Sequence, residues 1–187
     1  MNYKILFALI ISGCSFVQNS PIYSSVAQAY SKSDDDYLLN YANKLQYSSI
    51  LVKLNNKSSL LVLETSENNI HTYVSNSGLR LKFDGTKLIE SAGFLNDIYI
   101  NNFNRFNFLN YQSGTYFVSQ TNPNLMLEPA NISYKFDLHS NSLTEFVVLP
   151  GIYENYRNIF FYGTGGAIIR SSQHVTPKIV LDITYFD

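Results

Sequence analysis

The chain of 187 residues carries 13 Lys and Arg against 14 Asp and Glu, a net charge of −1 without a basic stripe, which argues against a nucleic-acid partner. Its single cysteine excludes an internal disulfide, so an exported domain of this sequence has to be held by a packed core. The 15 Tyr and 13 Phe without any Trp fit the codon bias of an AT-rich genome, and surface Tyr and Asn would also suit the faces and hydroxyls of sugars.

Residues 1–13 hold one lysine, Lys4, and an apolar run over 5–11. As a helix that run spans roughly 10 Å against about 30 Å of bilayer hydrocarbon, so it reads as a processing segment and not as a membrane span. It ends in Ile11-Ser12-Gly13-Cys14, the pattern of a bacterial lipobox. On that reading the chain is cut before Cys14, whose sulfur takes a thioether-linked diacylglycerol. The other reading is a plain secretory peptide cut elsewhere, with Cys14 a small buried residue. Each methylene buried in the membrane contributes about 0.8 kcal/mol, so two or three acyl chains anchor firmly. Ser15 stands where an Asp often signals inner-membrane retention, which favours the outer membrane with the domain facing the periplasm.

Residues 14–33 read as a lipidated tether with at most a short helix around 22–30, and residues 34–187 as a single β domain. Ser33-Asp34-Asp35-Asp36 offers a capping hydroxyl and three carboxylates at an electropositive helix start. Tyr37, Leu38, Tyr41, Ala42 and Leu45 then line one face, which predicts a helix over 35–44. After Gln46 the apolar period changes to two. Strands are expected over 48–54, 60–67, 71–75, 79–83 and 87–91, with turns at Asn68-Asn69 and at Asp84-Gly85, the strongest hairpin signal in the chain. Residues 92–129 lose the pattern. Phe94, Leu95, Ile98, Ile100, Phe103, Phe106, Phe108 and Leu109 predict short helical or irregular segments that plug one side of a sheet. Strands resume over 132–138, 143–149, 158–162, 167–174 and 178–186. About ten strands joined by short turns make an antiparallel meander, expected to curl into a half-barrel filled by the helix and the insert.

The sequence offers no catalytic constellation, no metal site and no cofactor motif. His71, His139 and His174 stand far apart without ligand spacing. Gly163-Thr164-Gly165-Gly166 lacks the Gly-Lys-Ser/Thr ending of a phosphate loop and reads as a turn. Neither a nucleophile elbow nor a pair of carboxylates for glycoside hydrolysis is evident, so the expectation is a protein that is not an enzyme.

The chain resembles the YjbF/GfcB family of lipoproteins, encoded with exopolysaccharide and group 4 capsule genes. The matching residues are the lipobox ending at Cys14, Leu45-Gln46-Tyr47-Ser48-Ser49, Tyr73-Val74-Ser75, Leu81, Asp84-Gly85 and Leu88-Ile89. Near the end they are Asn158-Ile159-Phe160-Phe161, Gly166, Ser171, Gln173 and the run 177–186. Tyr73 and Phe161 stand where the family usually carries Trp, and Gln46 where a Pro is common. The resemblance implies an outer-membrane lipoprotein that assists exopolysaccharide or capsule production or export by binding export proteins or glycan. Cys14 is the one functional residue it carries over. The alternative expectation is a half-barrel carrier of lipid or lipoprotein acyl chains, plugged by the Phe-rich insert.

Overall fold

The computed structural model describes residues 35–55, 57–121, 124–151 and 154–186. Helix α1 (Asp35–Ala42) precedes strands β1 (Ser49–Leu54), β2 (Lys57–Glu67), β3 (Ile70–Val74), β4 (Arg80–Asp84), β5 (Lys87–Ala92) and β6 (Ile98–Asn101). A short helix, α2 (Arg105–Leu109), leads into β7 (Gly114–Thr121), β8 (Asn124–Asp137), β9 (Ser142–Val148), β10 (Tyr156–Tyr162), β11 (Ile168–Thr176) and β12 (Ile179–Phe186). Each strand pairs antiparallel with the next, and β12 returns to pair with β1, Val52 lying opposite Ile183.

The expected half-barrel is thus a closed barrel of twelve strands. The two extra strands, β6 and β7, come from the stretch read as irregular, and β8 begins eight residues earlier than expected, at Asn124. Closure removes the two unpaired edges that a bent open sheet would present to solvent. A carrier of half-barrel type therefore lacks its open concave face here.

Turn chemistry sets the register of the β2–β3 and β4–β5 hairpins. Asn68 and Asn69 both adopt positive φ, at 51° and 68°, and Gly85 does so at 61°. Asn and Gly tolerate that conformation, whose twist matches paired strands. Period-two alternation then sends Ile50, Leu61, Leu81, Val118, Val147, Leu181 and Ile183 inward to a common core.

Helix α1 lies outside the barrel, where Leu38 and Ala42 cover Leu51 and Leu60. Its first carboxylate, Asp35, accepts from Lys53 Nζ and Ser58 Oγ, both at 2.5 Å. Those two bonds, the lysine's first, hold the Asp35 carboxyl below the usual carboxylate range. The capping partners Ser33 and Asp34 lie outside the described residues. Helix α2 closes one end of the barrel. Asn104 caps it by accepting from Asn107 N, Arg105 pairs with Asp84, and Phe108 packs against Phe160 with ring centroids 5.0 Å apart. The expected plug is present in part: Phe94 and Phe103 pack against the core and Phe108 is buried, whereas Leu95, Phe106 and Leu109 are exposed.

Candidate functional site

Cys14, with the lipobox residues Ile11, Ser12 and Gly13, lies outside the described residues. What the fold positions is an outer wall with grooves and a polar layer within the core.

The outer wall runs from β8 to β2, and alternation places every second side chain on it. Lys135, Thr144, Ile159, Ser172, Asp182, Lys53 and Ser58 are successive cross-strand neighbours in one row. Asp137, Ser142, Phe161, Arg170, Thr184, Leu51 and Leu60 make the next. At about 4.8 Å between strands, a row of seven extends roughly 29 Å around the barrel. Two grooves of about 550 Å³ each open on this wall. One is flanked by Asp35 and Leu39 of α1 and floored by Lys53, Asp182, Arg170 and Phe161; the other includes Lys135, His139, Thr144, Phe146 and Arg157. The Arg170 guanidinium lies 4.5 Å over the Phe161 ring, a cation–π contact. Hydroxyls, aromatic rings and charges of both signs are the groups that bind polyhydroxylated or anionic ligands.

Within the core, Lys87 and Glu145 form an ion pair at 2.5 Å with side-chain exposures of 2% and 0%. Glu145 also accepts from Asn158 Nδ2 at 2.5 Å and from the Tyr134 hydroxyl at 3.3 Å. Tyr134, Glu145 and Asn158 are direct cross-strand partners on β8, β9 and β10, while Lys87 reaches them from β5. Gln173 on β11 makes a second crossing: its Oε1 accepts from Leu88 N at 2.8 Å and its Nε2 donates to Thr86 O at 2.7 Å. Tyr185 donates to the same carbonyl at 3.0 Å. These bonds tie β5 to the opposite wall through the middle of the barrel. Burial, followed by the Glu145 charge, pushes the phenol of Tyr116 well above its ordinary range, as it does those of Tyr134 and Tyr156. Burial disfavours the charged form of each phenol.

The three histidines are not brought together. His71 bonds Ser66 at 3.0 Å, His139 sits in the β8–β9 turn, and His174 stacks on Tyr156 at 4.9 Å. Burial first, then Lys87, lowers His174 to about 4. Gly163-Thr164-Gly165-Gly166 forms the β10–β11 turn, Gly166 at φ 77°. Sequence reasoning missed Lys87, Glu145, Asn158 and Gln173 as a group. The available signal was four polar residues at inward phases of otherwise apolar strands, visible only once the register is known.

The inside of this barrel is largely apolar, and charged side chains line the two grooves on its outer wall. Among the described residues no helix is long and apolar enough to cross a membrane. No family model matches the chain, nor does any curated protein. The solved structures similar to it include the hypothetical lipoprotein YmcC from Escherichia coli (K12). The two share 16% identity at a TM-score of 0.71, over 91% of this chain and 97% of that one. At that identity the likeness is one of fold.

Proposed function

We infer that the chain is an exported lipoprotein, fastened to the outer membrane through a diacylglycerol on Cys14, with its barrel facing the periplasm. There it assists the production or export of an exopolysaccharide or capsule without catalysis, binding glycan or export proteins through the outer wall. The observation that carries this reading is the fold agreement, over nearly the whole of both chains, with a protein described as a hypothetical lipoprotein. It adds to the lipobox at residues 11–14 and to the resemblance to the YjbF/GfcB family. The grooves beside α1 and across β8–β10 supply a place for binding that neither the sealed edges nor the crossed interior offers.

Two experiments separate the parts of this reading. Labelling with radioactive palmitate marks the wild-type chain and not Cys14→Ser; a labelled serine variant removes the anchor. Deletion of the gene in its native host lowers extracellular polysaccharide, and an unchanged yield removes the process.

A further inference from the structure

The wall and its grooves serve the function proposed above. The buried triad of Lys87, Glu145 and Asn158 does not, and it carries chemistry of its own. We propose that Lys87 and Asn158 become joined by an isopeptide bond within the chain, formed once after folding, with Glu145 carrying the protons.

Geometry is the argument. Lys87 Nζ and Asn158 Nδ2 each lie 2.5 Å from the same oxygen, Oε2 of Glu145, so no more than twice that distance separates the two nitrogens. The Asn158 carbon that would be attacked is bonded to one of them. Its carbonyl oxygen, Oδ1, accepts from the backbone N–H of His174 at 2.7 Å. That donor polarises the carbonyl and would stabilise the charge developing on Oδ1 during attack. All three side chains are buried, Asn158 at 1% exposure. The Tyr116 ring centroid sits 5.5 Å from Nζ, and the Tyr134 hydroxyl steadies the other Glu145 oxygen. A nucleophile and an activated amide gathered on one buried proton carrier have already met much of the entropic cost of assembly. Left unreacted, the buried ion pair costs desolvation that its attraction and the Asn158 and Tyr134 hydrogen bonds have to recover.

The step balances. The Lys87 ammonium gives one proton to the Glu145 carboxylate, and the free amine attacks Asn158 Cγ, forming a C–N bond. The added nitrogen then gives up a second proton, which Glu145 relays to Nδ2, and the Cγ–Nδ2 bond breaks. Ammonia leaves, the carbonyl reforms, and Glu145 ends as a neutral acid. The ammonium and carboxylate charges are both consumed, so the product leaves a secondary amide and a carboxylic acid in the core where an ion pair stood. No oxidant, metal or external reactant takes part. The bond would fasten β5 to β10 across the barrel, a covalent brace in a chain whose one cysteine can form no internal disulfide.

Peptide mapping of the full chain, extracted from membranes and denatured before digestion with trypsin, tests this directly. The expected product is a branched peptide joining residues 83–105 to residues 158–170, uncut after Lys87 and lighter than its two parts by one ammonia. Linear peptides 88–105 and 158–170 in place of the branched one would overturn the proposal, and this measurement needs no variant. Glu145→Gln keeps the size of the side chain and removes the proton carrier; it is expected to yield the linear peptides only. A branched peptide persisting in Glu145→Gln overturns the role given to Glu145.

Discussion

Gln173→Leu tests whether the crossing between β11 and β5 holds the barrel together. Gln173 is fully buried and makes four hydrogen bonds: to Leu88 N, Thr86 O, Ser171 Oγ and Tyr185 Oη. Leucine keeps most of its volume and removes the polar atoms, so the cavity contribution stays small. Thr86 O and Ser171 Oγ each retain the Tyr185 hydroxyl, at 3.0 and 2.9 Å. The Leu88 N–H loses the Gln173 oxygen, and an unsatisfied buried donor costs about 1–3 kcal/mol. A net loss of about 2 kcal/mol follows, since the apolar replacement recovers only part of that cost. With a urea slope near 2 kcal/mol/M, the unfolding midpoint falls by about 1 M. Gln173→Ala adds a cavity and should cost about 3–4 kcal/mol. Equilibrium unfolding followed by far-ultraviolet circular dichroism measures both variants. A leucine variant as stable as wild type would refute the reasoning, because the crossing would then be replaceable by packing alone.

Three further outcomes follow from the same structure. Phe160→Ala removes a fully buried ring packed against Phe108 and should cost about 3–5 kcal/mol, lowering Tm by roughly 10 °C in calorimetry; a shift within a degree or two would contradict the packing. His174 is held to about 4 in the folded barrel, by burial and then by Lys87, and returns to about 6.5 when unfolded. The unfolded chain therefore binds the extra proton, so this contribution is complete above pH 6.5 and is lost as pH falls toward 4. After solvent screening of a half-buried ring it amounts to about 1–2 kcal/mol, absent from His174→Gln, and an NMR titration of the ring near pH 6.5 would rule it out. Asn104→Ala removes the cap of α2 and should weaken that end by about 1 kcal/mol, read as faster amide exchange over 105–109.

Much of the barrel is legible in the sequence because its hairpins are specified locally. The 87–91 expectation lies one residue from β5 as found, the helix from Asp35 ends two residues early, and the last strand begins one residue late. The failure over 92–129 has a physical cause. In β7, Tyr116, Val118 and Gln120 point inward while Phe117 stands outward against Pro129, so an apolar outer residue and a polar inner one erase the alternation. Pro129 itself argues against a strand until its neighbours are known. The candidate site suffered similarly. Glu145, Asn158 and Gln173 occupy core phases where a hydrophobic pattern expects aliphatics, and Lys87 meets them only through a contact spanning 58 residues to Glu145. No local rule anticipates a pairing at that separation, nor that α1 would border a groove by setting Asp35 beside Lys53.

Closure has a consequence for where recognition takes place. A sheet with free edges can bind by strand addition, and a barrel with an open lumen can bind inside; the described residues leave neither route, since β12 pairs with β1 and Lys87 and Gln173 cross the interior. Binding then falls to the outer wall and the two ends. Between their bulges, period-two geometry assigns the residues of β9 to β12 to one duty or the other. Substitutions at the inward positions Glu145, Asn158, Phe160 and Gln173 should change stability, while Arg157, Arg170, Ser172 and Asp182 should change binding and leave unfolding within about 0.5 kcal/mol of wild type. Arg170→Gln and Asp182→Asn, assayed for unfolding and for restoration of polysaccharide in the deletion strain, divide the two duties. If both variants unfold as wild type does and restore the full yield, the groove beside α1 is not where the barrel meets its partner.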